Sequence, residues 1–248
     1  LHVRSRRQRQ MCIRDRPYDT GYGDVWKFDT NTDKWTLISP KSSKTAPGDP
    51  WYPYNGIAVD PQNEDHIVVI SQSWWPDILM YRSTDGGETW NSIWEWTNYP
   101  NRKLNYNIDI SDAPWLDWGT SGQVSGGAEV YPKLGWCVGA IDIDPFNSNR
   151  LMYGTGATLY GTDNLTNWDS GEQIDITVMV DGIEEAVTNA LMVVPSKDDG
   201  LISSLWDING FYHDDVTKVP TIMANVKPGD KYSTLNSSVA MDLSLIHI

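Results

Sequence analysis

One short pattern occurs twice in this chain. Ile57-Ala58-Val59-Asp60-Pro61 is a β-branched run that stops at Asp-Pro, and Ala140-Ile141-Asp142-Ile143-Asp144-Pro145 stops the same way 84 residues later. Proline cannot supply a ladder N–H, and an aspartate before it favours a turn, so each Asp-Pro ends a strand. The segments after each Asp-Pro repeat too. Val68-Val69-Ile70-Ser71, Ile78-Leu79-Met80-Tyr81-Arg82-Ser83 and Ser92-Ile93-Trp94 predict three more strands after the first copy. Leu151-Met152-Tyr153-Gly154 and Thr158-Leu159-Tyr160-Gly161 match two of them after the second. Four-stranded units at a repeating spacing predict an all-β fold made of propeller blades. An earlier hairpin, Asp24–Asp29 with Lys34–Ile38, turns at Thr30-Asn31-Thr32-Asp33, and a later unit starts at Ala190–Val194 and Leu201–Leu205. The repeat exceeds the ~40–50 residues of a usual blade, so residues 95–135 are expected to be an insertion or long loop. The one helical fragment expected is short, from Gly182 to Met192. Gly and Pro together make 34 residues, which favours turns over long helices.

The two ends read as foreign to the protein. Met11-Cys12-Ile13-Arg14-Asp15-Arg16 back-translates to the transposase end used in preparing sequencing libraries, and Arg6–Gln10 to the adapter before it. Leu243-Ser244-Leu245-Ile246-His247-Ile248 fits the reverse complement. Residues 1–16 and 243–248 are therefore expected to be adapter-derived, leaving a propeller fragment over 17–242 that is cut at both ends. The formal charge of −14 for the whole chain becomes −19 without six arginines and Asp15, with 13 bases against 32 acids. Such acidity argues against a nucleic-acid partner. No run of eighteen apolar residues occurs, so no membrane-spanning helix is expected. Without Cys12, Cys137 stands alone and is expected to be a small buried hydrophobe.

Ser83-Thr84-Asp85-Gly86-Gly87-Glu88-Thr89-Trp90 fits S-x-D-x-G-x-x-W, the Asp box. Its physics is that of a hairpin turn. The Asp85 carboxylate accepts turn N–H groups, Gly87 takes a conformation a side chain would block, and Trp90 packs the turn on its sheet. A structural role is expected for Ser83, Asp85, Gly87 and Trp90. Thr162–Trp168 reads as a degraded copy, with Asp163 aligned on Asp85 and Gly161 on Ser83.

Two other features point to chemistry. In Ser204-Leu205-Trp206-Asp207-Ile208-Asn209-Gly210-Phe211-Tyr212-His213-Asp214-Asp215, Asp207 sits at a strand end among aromatic residues and further acids. Apolar surroundings and negative charge raise a carboxyl pKa, which suits a general acid; the alternative is an aspartate capping the turn before Gly210. His213, Asp214 and Asp215 are adjacent and would need a distant ligand to hold an ion, so neither metal nor cofactor is expected. The second feature is the tryptophan set, 13 against 3 phenylalanines in the whole chain. Trp74-Trp75, Trp115, Trp118 and Trp136 are spaced by Pro, Asp and Gly. Indole faces complement the C–H faces of sugars, and exposed aromatic clusters mark binding sites; the alternative is core packing.

Together these residues resemble glycoside hydrolase family 74, the xyloglucan-cleaving endo-β-1,4-glucanases. The resemblance runs from about Asp24 to Asp215. It rests on Gly56–Asn63, Trp74-Trp75-Pro76, Tyr81–Gly87, Ala113-Pro114-Trp115-Leu116, Ile143–Asn147, Tyr153-Gly154-Thr155-Gly156, Gly182-Ile183-Glu184-Glu185 and Asp207–Asp215. It implies two seven-bladed propellers with the substrate between them, of which three to four blades would lie here. It further implies a secreted or surface-displayed monomer and inverting hydrolysis by two aspartates. Asp207 matches the family's G-D-x-x-G-F motif and would be the general acid; the second aspartate would lie upstream of Pro17. Trp74, Trp75, Trp115, Trp118 and Trp206 would meet the glucan. Trp206 and Asn209 stand where the motif has glycines, which puts specificity and activity in question.

Two other classes compete. A non-catalytic Asp-box propeller that binds glycan or protein would commonly carry extracellular disulfides, which a lone Cys137 disfavours. A sialidase-like enzyme needs an arginine cluster for a substrate carboxylate, and only Arg82, Arg102 and Arg150 lie outside the adapter segments.

Overall fold

A computed structural model describes residues 9–12, 23–41, 53–71, 76–117, 124–125, 129–130, 132–183, 187–193, 200–205, 209–220 and 222–223. Almost all regular structure is strand. The chain divides into two compact units, one of residues 1–109, 126–129 and 134–179, the other of 110–125, 130–133 and 180–248.

In the first unit, Tyr54–Val59, Ile67–Ser71, Met80–Ser83 and Asn91–Ser92 form a four-stranded antiparallel meander in chain order. Its second strand is buried on both faces, which explains the unbroken Ile67-Val68-Val69-Ile70 run. Ala140–Ile143, Leu151–Gly154, Leu159–Thr162 and Ile174–Val178 form the second meander. Asn55 reaches from the first strand of one to the Val138 carbonyl just before the first strand of the other.

The two meanders repeat bond for bond at the Asp-Pro end. The Asp60 N–H donates to the His66 carbonyl and the Asp144 N–H to that of Arg150, both at 2.9 Å. The Gln62 and Phe146 N–H groups donate to the carboxylates of Asp60 and Asp144, both at 2.8 Å. At the other end the copies differ. The Ser71 N–H donates to the Leu79 carbonyl across seven intervening residues, whereas the same bond from Thr155 to Thr158 spans two. The longer connection holds Trp74 and Trp75, which lie outside the described residues.

The Ser83–Trp90 turn closes on its own side chains. Ser83 Oγ donates to Asp85 at 2.8 Å and accepts from the Gly87 N–H at 2.9 Å. The Thr89 N–H donates to Asp85 at 2.9 Å, and the Thr89 hydroxyl donates to its other oxygen. Gly87 has φ +91°, and a Cβ there would lie 2.9 Å from Ile38. Trp90 donates its indole N–H to the Ile38 carbonyl at 2.9 Å, tying the turn to the hairpin Val25–Asp29/Lys34–Leu37. Burial pushes the Asp85 carboxyl up, but the Thr89 and Ser83 hydrogen bonds outweigh it and hold its pKa down at about 2.

The second copy of this turn aligns one residue later than the sequence suggests. Thr162 Oγ1 donates to Asn164 at 2.8 Å and accepts from its N–H at 3.3 Å, the pattern Ser83 makes with Asp85. Asn164 is therefore the counterpart of Asp85. Asp163 turns outward to Arg150 at 2.8 Å, and Trp168 is buried in a 3₁₀ turn, Leu165–Ser170. Arg82, itself buried, pairs with Asp169 of that turn and so joins the two meanders.

Residues 95–135 are not one loop. Trp94–Trp96 pairs with Arg102–Leu104, and Tyr106–Asp109 adds to Ile174–Val178 as a parallel fifth strand. Gly182–Met192 is not helical in its described part. Thr188–Val193 is a strand, as its β-branched and apolar end favours, after a turn at Gly182 with φ +75°. Cys137 is exposed rather than buried: at φ +52° the chain turns there, and the neighbouring Val138 takes the interior position. The strand Arg9–Cys12, inside the segment read as adapter-derived, pairs antiparallel with Val25–Asp29. An open strand edge accepts extended chain of almost any sequence.

A buried charge pair lies within this unit. Asp77, fully buried, accepts from the N–H groups of Ile78 at 2.9 Å, Leu134 at 3.2 Å and Gly135 at 3.3 Å. The Arg102 side chain is also fully buried, 3.8 Å from Asp77 and stacked 4.5 Å from the centroid of the Trp94 ring. Trp94 in turn donates to the Ile78 carbonyl at 2.8 Å. Burial, and after it the charge of Asp77, raises the Tyr106 and Tyr160 phenols above their ordinary range.

These contacts set the expected outcome of several substitutions. Asp77→Ala leaves a buried guanidinium without its counter-ion and is expected to cost ~3–5 kcal/mol in urea denaturation. Arg102→Met leaves Asp77 its three backbone donors and is expected to cost distinctly less. Asp85→Ala is expected to cost about 1 kcal/mol at pH 6, as for a lost capping bond. Because the folded pKa lies below the ordinary 3.8, this contribution is present above pH ~4 and is lost as pH falls towards 2. The stability gap between wild type and Asp85→Asn should therefore close over that window in an acid titration.

Candidate functional site

The second unit carries the Asp207 motif. Thr188–Val193, Leu201–Leu205, Asn209–His213 and Ile222–Met223 form an antiparallel meander in chain order. Leu205 pairs with Asn209, so Trp206, Asp207 and Ile208 are a three-residue connection between paired strands. These three lie outside the described residues. Ser204 is opposite Gly210, and a Cβ on Gly210 would lie 2.1 Å from the Ser203 carbonyl oxygen. That contact is backbone and cannot give way, so the motif needs glycine here.

One face of this hairpin is aromatic. Phe211 is 4% exposed and meets Trp115 edge-on, with centroids 5.1 Å apart. Phe211 also lies against His213, at 6.4 Å between centroids, and the Ser203 hydroxyl is 2.9 Å from His213 Nε2. Trp115 sits in a 3₁₀ turn, Pro114–Asp117, whose neighbours Ala113 and Leu116 are buried. It is 7% exposed, so it packs rather than offering a ring face to solvent. The local reason is the turn: the Leu116 N–H donates back to the Ala113 carbonyl at 3.0 Å, which folds the Trp115 side chain inward with its neighbours. Trp74, Trp75, Trp118 and Trp206 lie outside the described residues.

His213, Asp214 and Asp215 do not converge. His213 meets Ser203, Asp214 is exposed, and Asp215 binds Lys218 at 2.8 Å and the Thr217 N–H and hydroxyl. The Lys218 contact first, then Thr217, holds the Asp215 carboxyl well below the usual range. Among the described residues no three metal-ligating side chains gather.

The first unit has a groove of about 510 Å³ where Asn55–Ile57 meets Ala140–Asp142, and among the described residues Asp142 is the one carboxylate lining it. Glycosidic hydrolysis by two carboxylates has no second partner there. The residues to which the sequence alone assigned no role of their own are Asp77, Arg102 and Phe211. Asp77 did leave a sign, a charged residue set between Trp-Trp-Pro and an apolar strand.

No protein-family model matches the chain. Among curated proteins, a xyloglucanase of a Paenibacillus species is 52% identical over 208 residues, covering 84% of this chain and 20% of that protein. The xyloglucanase Xgh74A of Acetivibrio thermocellus is 52% identical over 209 residues, covering 84% of this chain and 24% of its own length. Among solved structures, the GH74 xyloglucanase from Xanthomonas campestris superposes with a TM-score of 0.70 at 25% identity, over 90% of this chain and 28% of that one. The chain thus spans about a fifth to a quarter of the curated relatives it matches. The repeated meanders are blades of a partial propeller, and by sequence and fold together the chain belongs to glycoside hydrolase family 74, as one stretch of it.

Proposed function

We propose that the intact protein hydrolyses the β-1,4-glucan backbone of xyloglucan outside the cell, and that this chain supplies its general acid. The observation that carries this is the 52% identity to xyloglucanases over 84% of the chain, a stretch that includes most of the described structure. Asp207 would protonate the departing glycosidic oxygen from the connection between Leu205 and Asn209. A second carboxylate, expected upstream of Pro17, would activate water from the opposite face at ~6.5–9.5 Å, which makes the reaction inverting. Trp74, Trp75, Trp118 and Trp206 would present rings to the sugars, and the Trp206 indole beside the acid would set which decoration fits. Ser83, Asp85, Gly87 and Trp90 act as a structural Asp box. The chemistry needs no cofactor.

The test uses the full-length parent, recovered by reading the native locus beyond both ends of the chain. Purified enzyme should release reducing ends from xyloglucan faster than from undecorated β-glucan. Proton NMR should show the α-anomer appearing first. Asp207→Ala should lower kcat at least a thousandfold with xyloglucan still bound. A parent that binds xyloglucan but releases no reducing ends would make it a non-catalytic propeller, consistent with the Trp206 and Asn209 departures from the motif. A β-anomer product would overturn inversion alone.

A further inference from the structure

We propose that Trp115 is a positioning residue for the Asp207 hairpin and not a sugar-facing one. The proposal rests on the reading of Asp207 as the acid. Trp115, Phe211, His213 and Ser203 lie together on one face of the paired strands Leu201–Leu205 and Asn209–His213. Ser203 is opposite Phe211, and Phe211 and His213 are two residues apart. Trp115 abuts Phe211 at 5.1 Å with planes inclined at 60°, and both rings are more than nine-tenths buried. Gly210 adds no side chain to hold the hairpin, because the Ser203 carbonyl occupies that space. The strand nearest the three-residue connection is therefore fixed by the aromatic stack and by the Ser203–His213 contact. A general acid misplaced by about 1 Å loses on the order of a hundredfold in rate. A buried ring that sets this strand acts on turnover, whereas a sugar platform acts on binding.

The experiment measures kcat and KM on xyloglucan for the full-length parent and its variants, assayed below each variant's thermal transition. Trp115→Ala is expected to lower kcat at least tenfold with KM changed less than threefold. Trp115→Phe, which keeps an aromatic edge, should recover at least a third of the wild-type kcat. A tenfold rise in KM with kcat retained would make Trp115 a sugar platform and overturn the proposal, as would a variant unchanged in both. If Trp115→Ala does not fold, Phe211→Leu, which keeps apolar bulk without the ring, is expected to give the same kcat loss; full kcat in that variant overturns the proposal. Asp207→Ala serves as the control. If it keeps wild-type turnover, the acid assignment falls and this proposal with it. If it is silent while Trp115→Ala is fully active, only the positioning role falls.

Discussion

The first unit depends on a single carboxylate placed where water cannot reach it. Ionised groups are costly to bury, and Asp77 is tolerated because three backbone N–H groups and Arg102 surround it. The arrangement has structural reach. Ile78 opens the Met80–Ser83 strand, while Leu134 and Gly135 precede the strand at Ala140, so one side chain ties the edges of two meanders. The Arg102 guanidinium makes no hydrogen bond among the described residues and leans instead on Asp77 and the Trp94 face. Trp94 then bonds back to Ile78 and closes the circuit. Burial first, and then this same charge, holds the nearby Tyr106 and Tyr160 phenols above their ordinary range, since a second buried anion beside Asp77 would be repelled.

Much of the fold was legible because strand patterning and turn chemistry agreed. The runs at Ile57, Val68, Ala140, Leu151 and Leu201 all became strands, and Asp-Pro or Gly marks an end of most of them. Legibility failed where one residue decides the outcome. The Thr162 hydroxyl replaces that of Ser83 so closely that the turn is set from it and not from the more obvious Asp163. Cys137 has a small apolar side chain, yet its backbone conformation sends it outward. The parallel strand Tyr106–Asp109 could not be foreseen, since its partner lies some 70 residues later and no local pattern marks the pairing.

The site divides in the same way. Asp207 stood out by motif, and Leu205 and Asn209, on either side of it, are paired with each other. Tryptophan was the harder case. Its area and flatness suit both a sugar surface and a core, and composition does not separate them. Trp115 went to the core because Phe211 offers an edge for it and the Pro114–Asp117 turn folds it inward.

The two meanders match bond for bond at their Asp-Pro ends yet differ by five residues between Ser71 and Leu79. Strand register is unchanged on either side of that difference. One end of each blade thus behaves as a fixed mount and the other as an interchangeable cassette. A chain built this way can lengthen or swap what it presents at that end, blade by blade, without rebuilding its core.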